Sequence, residues 1–121
     1  MKGLFFACLY GAGSVLLGAF VTHGLNDVWP EANIQTLQTA ARYLFYTAMP
    51  LLVLSLTQKE WQWPRITYAL FIISGALFSG SLVAYVVFQQ PWLAAFTPIG
   101  GVLYVFAWIS VGWWGHTNLS N

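Results

Sequence analysis

Two side chains in this sequence stand out from strongly apolar surroundings, His23 and Arg42. A histidine titrates near neutrality, so His23 has the chemistry to shuttle a proton or ligate a metal. An arginine presents a planar fork of donors that matches a carboxylate or a phosphate. Each also has a plain structural use. His23 precedes Gly24 and suits the C-terminal end of a helix. Arg42 can tie down the preceding loop through Asp27 or Glu31, with the ring face of Tyr46 one turn on. Hydroxyls at Thr22, Tyr43, Thr47, Ser81, Tyr85 and Thr97 fall at a similar depth. His23, Arg42, Tyr46, Ser81, Tyr85 and Thr97 thus outline an expected small polar pocket, suited to an anion or a lipid headgroup. Serine and threonine can equally satisfy themselves on their own helix backbone.

Beyond these residues the chemistry is thin. No nucleophile–base–acid spacing, phosphate-binding glycine loop or zinc-ligand pattern occurs. The sequence predicts no enzyme, no metal and no cofactor. Its one cysteine, Cys8, permits no internal disulfide.

The elements that must carry these residues follow from composition. Of 121 residues, 59% are hydrophobic and only 6% charged, where an average soluble domain has roughly 25% charged. The mean hydropathy is +0.68. Water is the wrong solvent for such a surface, and a bilayer is the right one. A net charge of +1 excludes nucleic acid as a partner, because phosphate binding needs clustered Lys and Arg. Membrane lipids are the expected contact, and a second copy or another membrane protein stays open.

About 20 apolar residues make one span, and four such stretches are visible. The predicted helices cover about 3–25, 36–57, 66–89 and 98–114, an all-α bundle of four transmembrane helices in one domain. The first stretch is too long and lacks the cleavage signal of a secretory leader, so it is read as a retained helix. A polar loop, 26–36, contains Trp29-Pro30, with Asp27 as a candidate cap. Pro50 inside the second helix removes one backbone donor and predicts a kink. The charged loop 58–65 carries Trp61 and Trp63, which fit an interfacial belt. Thr97-Pro98 reads as a cap and first position of the fourth helix, followed at its far end by a short tail from Gly115. Lys2, Lys59 and Arg65 fall on one side, which predicts both termini inside.

In lipid, small side chains let helix backbones approach closely. Gly11, Ser14 and Gly18, flanked by Ala7 and Thr22, form one such face on the first helix. Gly75, Ser79 and Gly80 supply the third helix, and Gly100 and Gly101 the fourth. Packing within the bundle is the expectation, with a homodimer seam on the first helix as the alternative.

Four segments are similar to a known family. Gly18-Ala19-Phe20-Val21-Thr22-His23-Gly24-Leu25 resembles the "GAFGAHGL" segment of the YgdD family, small four-helix membrane proteins of unknown function. Gln38-Thr39-Ala40 with Tyr43, Leu77 to Leu82 ("LFSGSL") and Thr97 to Gly101 with Trp108 match further segments, in the same order. The family's "YQ-x-YHAL" becomes Tyr43-Leu44-Phe45-Tyr46-Thr47-Ala48-Met49, so Leu44 and Thr47 replace a glutamine and a histidine. A paired-histidine site between the first two helices is therefore not expected here. The resemblance implies a fold and an inner-membrane address, without an activity. The expected function is a non-enzymatic protein that organises the membrane or assists a partner. The alternative is a small transporter or channel with an outer-side anion or headgroup site at Arg42 and His23.

Overall fold

The structure, a computed structural model, describes residues 2–24 and 29–119. In hydrocarbon every backbone N–H and C=O must be satisfied within its own segment, which leaves the helix as the only open-chain solution. Accordingly the described residues form α1 (Lys2–Gly24), α2 (Glu31–Leu56), the single turn α3 (Gln58–Trp61), α4 (Arg65–Phe88) and α5 (Phe96–Asn118), with a 3-10 turn at Pro91–Ala95. The four long helices are long and apolar enough to cross a membrane. At 1.5 Å per residue, the 23 residues of α1 reach about 35 Å, enough for a hydrocarbon layer of about 30 Å.

α1 packs on α2, α2 on α4, and α4 on α5. The apolar windows of α2 and α4 are 44% and 33% buried, against 11% for α1 and 17% for α5. α2 and α4 are therefore the central pair, and α1 and α5 give most of their surface to lipid. Phe5, Val15, Leu16 and Phe20 of α1 and Val102, Val105 and Ile109 of α5 are exposed accordingly. Two apolar clusters fill the ends of the bundle. One gathers Ala7, Leu51, Leu54, Trp63, Phe71, Tyr104 and Ala107, the other Val21, Ile34, Leu37 and Val86.

Between the clusters, small residues close the seams. On α1 the expected stripe faces α2: a Cβ on Gly11 would meet Ala48 at 3.7 Å, and one on Gly18 would meet Ala41 at 3.9 Å. The intramolecular use of this stripe is thus the one observed. Gly75 of α4 accepts Thr47 so closely that a Cβ would lie 2.8 Å from its side chain. At Gly100 of α5 a Cβ would lie 2.5 Å from the backbone nitrogen of Phe78, so only glycine permits this approach of α5 to α4. A Cβ on Gly101 would meet the edge of the Phe78 ring at 3.8 Å, whereas one on Gly80 would meet nothing within 4 Å. Among the described residues, no atom packs against the Cβ position of Gly80.

Several boundaries differ from the sequence reading. α2 begins at Glu31 rather than near residue 36, following Pro30, whose carbonyl accepts the amides of Asn33 and Ile34. Residues 31–36 of the polar run are therefore helical, and the capping expected of Asp27 lies outside the described residues. α2 continues unbroken through Pro50. Thr97 does not cap α5, because the helix starts one residue earlier, out of the Pro91–Ala95 turn. Pro98 becomes the third helical residue, still among the first four amides that lack a helical acceptor, so its missing N–H costs nothing. The far end of α5 runs past Gly115 to Asn118, where Thr117 Oγ1 and Asn118 Nδ2 donate to the carbonyls of Trp113 and Trp114 at 3.0 Å each. Trp61 is exposed as an interfacial residue should be, but Trp63 is 6% exposed. It packs on Trp114 with ring centroids 5.0 Å apart, and its indole N–H donates to Thr57 at 2.8 Å, plugging one end of the bundle.

Gly100→Ala should destabilise the protein in detergent by about 1–3 kcal/mol, because backbone cannot yield to the new methyl. Gly80→Ala should be neutral or up to about 1 kcal/mol stabilising, since it only removes a helix-interior glycine. Thermal unfolding of the two variants separates these outcomes.

Candidate functional site

The polar residues inside the spans fall into two groups, those that bond helix to helix and those that face outward. Ser14 of α1 donates to the Ala41 carbonyl at 2.8 Å, and Ser79 of α4 donates to the Ala40 carbonyl at 2.9 Å. Both serines are buried. Tyr10 Oη donates to the Ile72 carbonyl at 2.5 Å, linking α1 to α4, and Ser110 Oγ donates to Thr67 Oγ1 at 3.2 Å, linking α5 to α4. Thr47, Ser55 and Ser74 satisfy their hydroxyls on carbonyls of their own helices.

The six residues expected to share a pocket stand in separate places. Arg42 and Tyr46 line a lateral groove of about 500 Å³ between α1 and α2, together with Ser14, Gly18, Thr22 and Gln38. The Arg42 side chain is exposed, and its Nη2 donates to Thr39 Oγ1 at 3.2 Å. Of the expected acidic partners, Glu31 instead accepts from Gln35 at 3.4 Å, and Asp27 lies outside the described residues. The Tyr46 ring meets Tyr43 edge-on at 5.2 Å. His23 is exposed and sits on another shallow groove, beside Leu16, Ala19 and Phe20 of its own helix. Ser81 meets Thr97, joining α4 to the start of α5, while its Oγ also donates to the Phe78 carbonyl at 3.0 Å. Tyr85 is exposed on α4. The shared polar pocket is therefore resolved into an arginine groove, a histidine on a separate groove and a hydroxyl pair that fastens two helices. No group of three or more His, Cys, Asp or Glu that could hold a metal occurs among the described residues.

Two concavities carry no signal in the sequence. One is an apolar crevice of about 430 Å³ between α2 and α5, walled by Phe45, Met49, Pro50, Trp63, Tyr104 and Trp108. The Tyr104 hydroxyl beside it is buried and, among the described residues, has no partner at hydrogen-bond geometry, although Thr47 and Trp108 lie close by. The other, at the end where α1 and α4 begin, includes Lys2 and Arg65. Each brings together residues far apart in the chain, so no local motif marks it.

Four apolar spans, packed through small residues and serine-to-carbonyl bonds, define a small polytopic helical protein of the membrane. A family model described as a protein of unknown function (DUF423) matches residues 17–101, and the chain belongs to that family. It is similar to a UPF0382 membrane protein of Haemophilus influenzae, 32% identical over 113 residues that cover 93% of this chain and 91% of that one. The UPF0382 membrane protein YwdK of Bacillus subtilis is 38% identical, covering 81% and 82%. The UPF0382 inner membrane protein YgdD of Escherichia coli is 29% identical, covering 87% and 82%. The four-segment resemblance in the sequence agrees with this family, whose relatives are named membrane proteins, the Escherichia coli one an inner membrane protein, in keeping with four apolar helices that can span a bacterial plasma membrane. No solved structure matches the chain.

Two substitutions test the polar accounting. Ser14→Ala and Ser79→Ala should each lower stability by about 0.6–1.7 kcal/mol, the range of hydrogen bonds between membrane helices. Tyr104→Phe should raise it by about 1 kcal/mol, because a buried hydroxyl without a partner carries its desolvation penalty uncompensated. Denaturant unfolding in mixed micelles reads both.

Proposed function

We propose that the chain is a non-enzymatic membrane protein that organises the surrounding bilayer or assists a membrane-protein partner, inserted with both termini inside. One observation carries this reading. Arg42 and His23 line separate grooves, while the span serines Ser14 and Ser79 are bonded to the Ala41 and Ala40 carbonyls. Polar groups that a conduction path would need are instead engaged in holding helices together. The orientation is supported by Lys2 and Arg65, which head α1 and α4, and Lys59 within α3, all at one end of the bundle, in keeping with the excess of cations on the inner side.

A second reading rests on the Arg42 groove. It opens sideways toward lipid, and a guanidinium is well matched to a phosphate. Within the span its side chain reaches outward to the interface. This favours a lipid headgroup bound at the edge of the protein over a solute passed through it.

Purified protein in proteoliposomes should show no flux of chloride, phosphate or cationic drugs, while cells lacking it should show altered envelope integrity or abundance of a partner. A flux lost in Arg42→Ala would overturn the organising role in favour of transport. Lipid retention lost in Arg42→Ala, without flux, would establish the headgroup reading.

A further inference from the structure

The end of the bundle where α1 and α4 begin and α2 ends holds a crevice of about 520 Å³, lined by Lys2 and Phe6 of α1, Gln58 of α3, and Arg65, Tyr68 and Ile72 of α4, among others. Its shape follows from two contacts. Gly3 seats the first turn of α1 on Tyr68 so closely that a Cβ would lie 2.6 Å from the ring. Deeper in the bilayer, the bond from Tyr10 Oη to the Ile72 carbonyl ties α1 to α4 again. α1 packs along α2 rather than along α4, so a cleft stays open to lipid between these two ties.

The chemistry is graded along the cleft. At its mouth stand two exposed cations, Lys2 and Arg65, each the first residue of its helix. Both helix N-termini therefore add positive potential at the same place. α4 has no side-chain cap, and of its first three amides only that of Thr67 has a backbone acceptor, the Pro64 carbonyl at 3.1 Å. One wall is fixed in place, because Tyr68 Oη donates to Gln58 Oε1 at 2.8 Å and Gln58 Nε2 donates to the Trp63 carbonyl at 3.1 Å. No carboxylate is among the described lining residues. Toward the bilayer centre the lining turns apolar at Phe6, Ala69 and Ile72, four to seven residues from the helix starts, or about 6–10 Å deeper.

A positive mouth at interfacial depth with an apolar floor open to hydrocarbon matches an anionic amphiphile. We propose that this crevice binds the phosphate of an anionic membrane phospholipid between Lys2 and Arg65, with one acyl chain lying along Phe6 and Ile72. The apolar floor distinguishes a lipid from free phosphate, which would use only the mouth. The site lies at the opposite end of α2 from its Glu31 start and stands whether or not the protein organises membranes.

The test is native mass spectrometry of the full-length, delipidated protein titrated with phosphatidylglycerol or with phosphatidylcholine of the same chains. Phosphatidylglycerol should be retained in preference. Near an anionic surface each cation contributes enough for about a fivefold change in affinity. The Lys2→Gln/Arg65→Gln double variant should therefore bind about thirtyfold more weakly. Ala69→Trp, which fills the crevice and keeps both cations, should lose the same preference. Lys59→Gln, a cation on the same face outside the crevice, should retain it. Circular dichroism and a melting curve confirm that each variant is folded. Unchanged phosphatidylglycerol binding in both the double variant and Ala69→Trp would overturn the proposal. So would an equal loss in Lys59→Gln, which would mean diffuse surface charge, or full displacement by inorganic phosphate, which would mean that a free anion is the ligand.

Discussion

Two consecutive carbonyls on α2 hold the bundle together. Ala40 accepts from Ser79 of α4 and Ala41 from Ser14 of α1. A carbonyl has two lone pairs, so each takes this second donor without giving up its own helical bond. Consecutive residues are turned about 100° around a helix, which places the two partner helices on different sides of α2. Lipid tails are as apolar as leucine, so burial of apolar surface gives helices in a membrane little reason to associate. Close contact and such bonds must do it, and the alanines and glycines along the seam are what let the serines reach.

The same constraint explains where the polar residues of the protein are found. Within the spans the hydroxyls of Ser14, Ser79 and Ser110 join two helices, and those of Thr47, Ser55 and Ser74 return to their own backbone. Charged groups are pushed to the margins. Lys2, Lys59, Glu60 and Arg65 stand at one end, Glu31 starts α2, and Arg42 alone among the described charged residues lies well inside a long helix, exposed at a lateral groove. Concavities therefore form at the edges of the bundle, between splayed helix pairs, and each opens toward lipid. A protein built this way meets its ligands from the side.

Much of this architecture is legible in the sequence. The spans of α1 and α4 follow from it to within a residue, because a charge-free apolar run can do nothing else in a bilayer. The stripe Gly11, Ser14, Gly18 has the spacing of a packing face, and α2 is what it packs on. Where the sequence misleads, a local rule yields to context. Thr97 has the sequence of a cap, yet the turn Pro91–Ala95 feeds α5 directly and frees the hydroxyl to meet Ser81. Trp63 has the composition of an interfacial belt residue, yet Thr57 and Trp114 draw it into the core. Gly80 has the spacing of a contact, yet its Cβ position meets no described residue within 4 Å.

The polar pocket shows the limit most plainly. Depth along the membrane normal can be counted from the sequence, since each residue adds a fixed rise to a helix whose ends are marked by charge. This is why His23, Arg42, Ser81, Tyr85 and Thr97 fall at a common level, and why the environment and the family are recoverable from one chain. Rotation about each helix axis is a different quantity. In the spans of this protein nearly every face is apolar, so the hydropathy pattern that orients a helix in water carries no such signal here. Only contact between helices decides which residues meet: Ser14 and Ser79 against adjacent carbonyls, Gly100 against the Phe78 backbone, and Lys2 beside Arg65 at the mouth of a shared crevice.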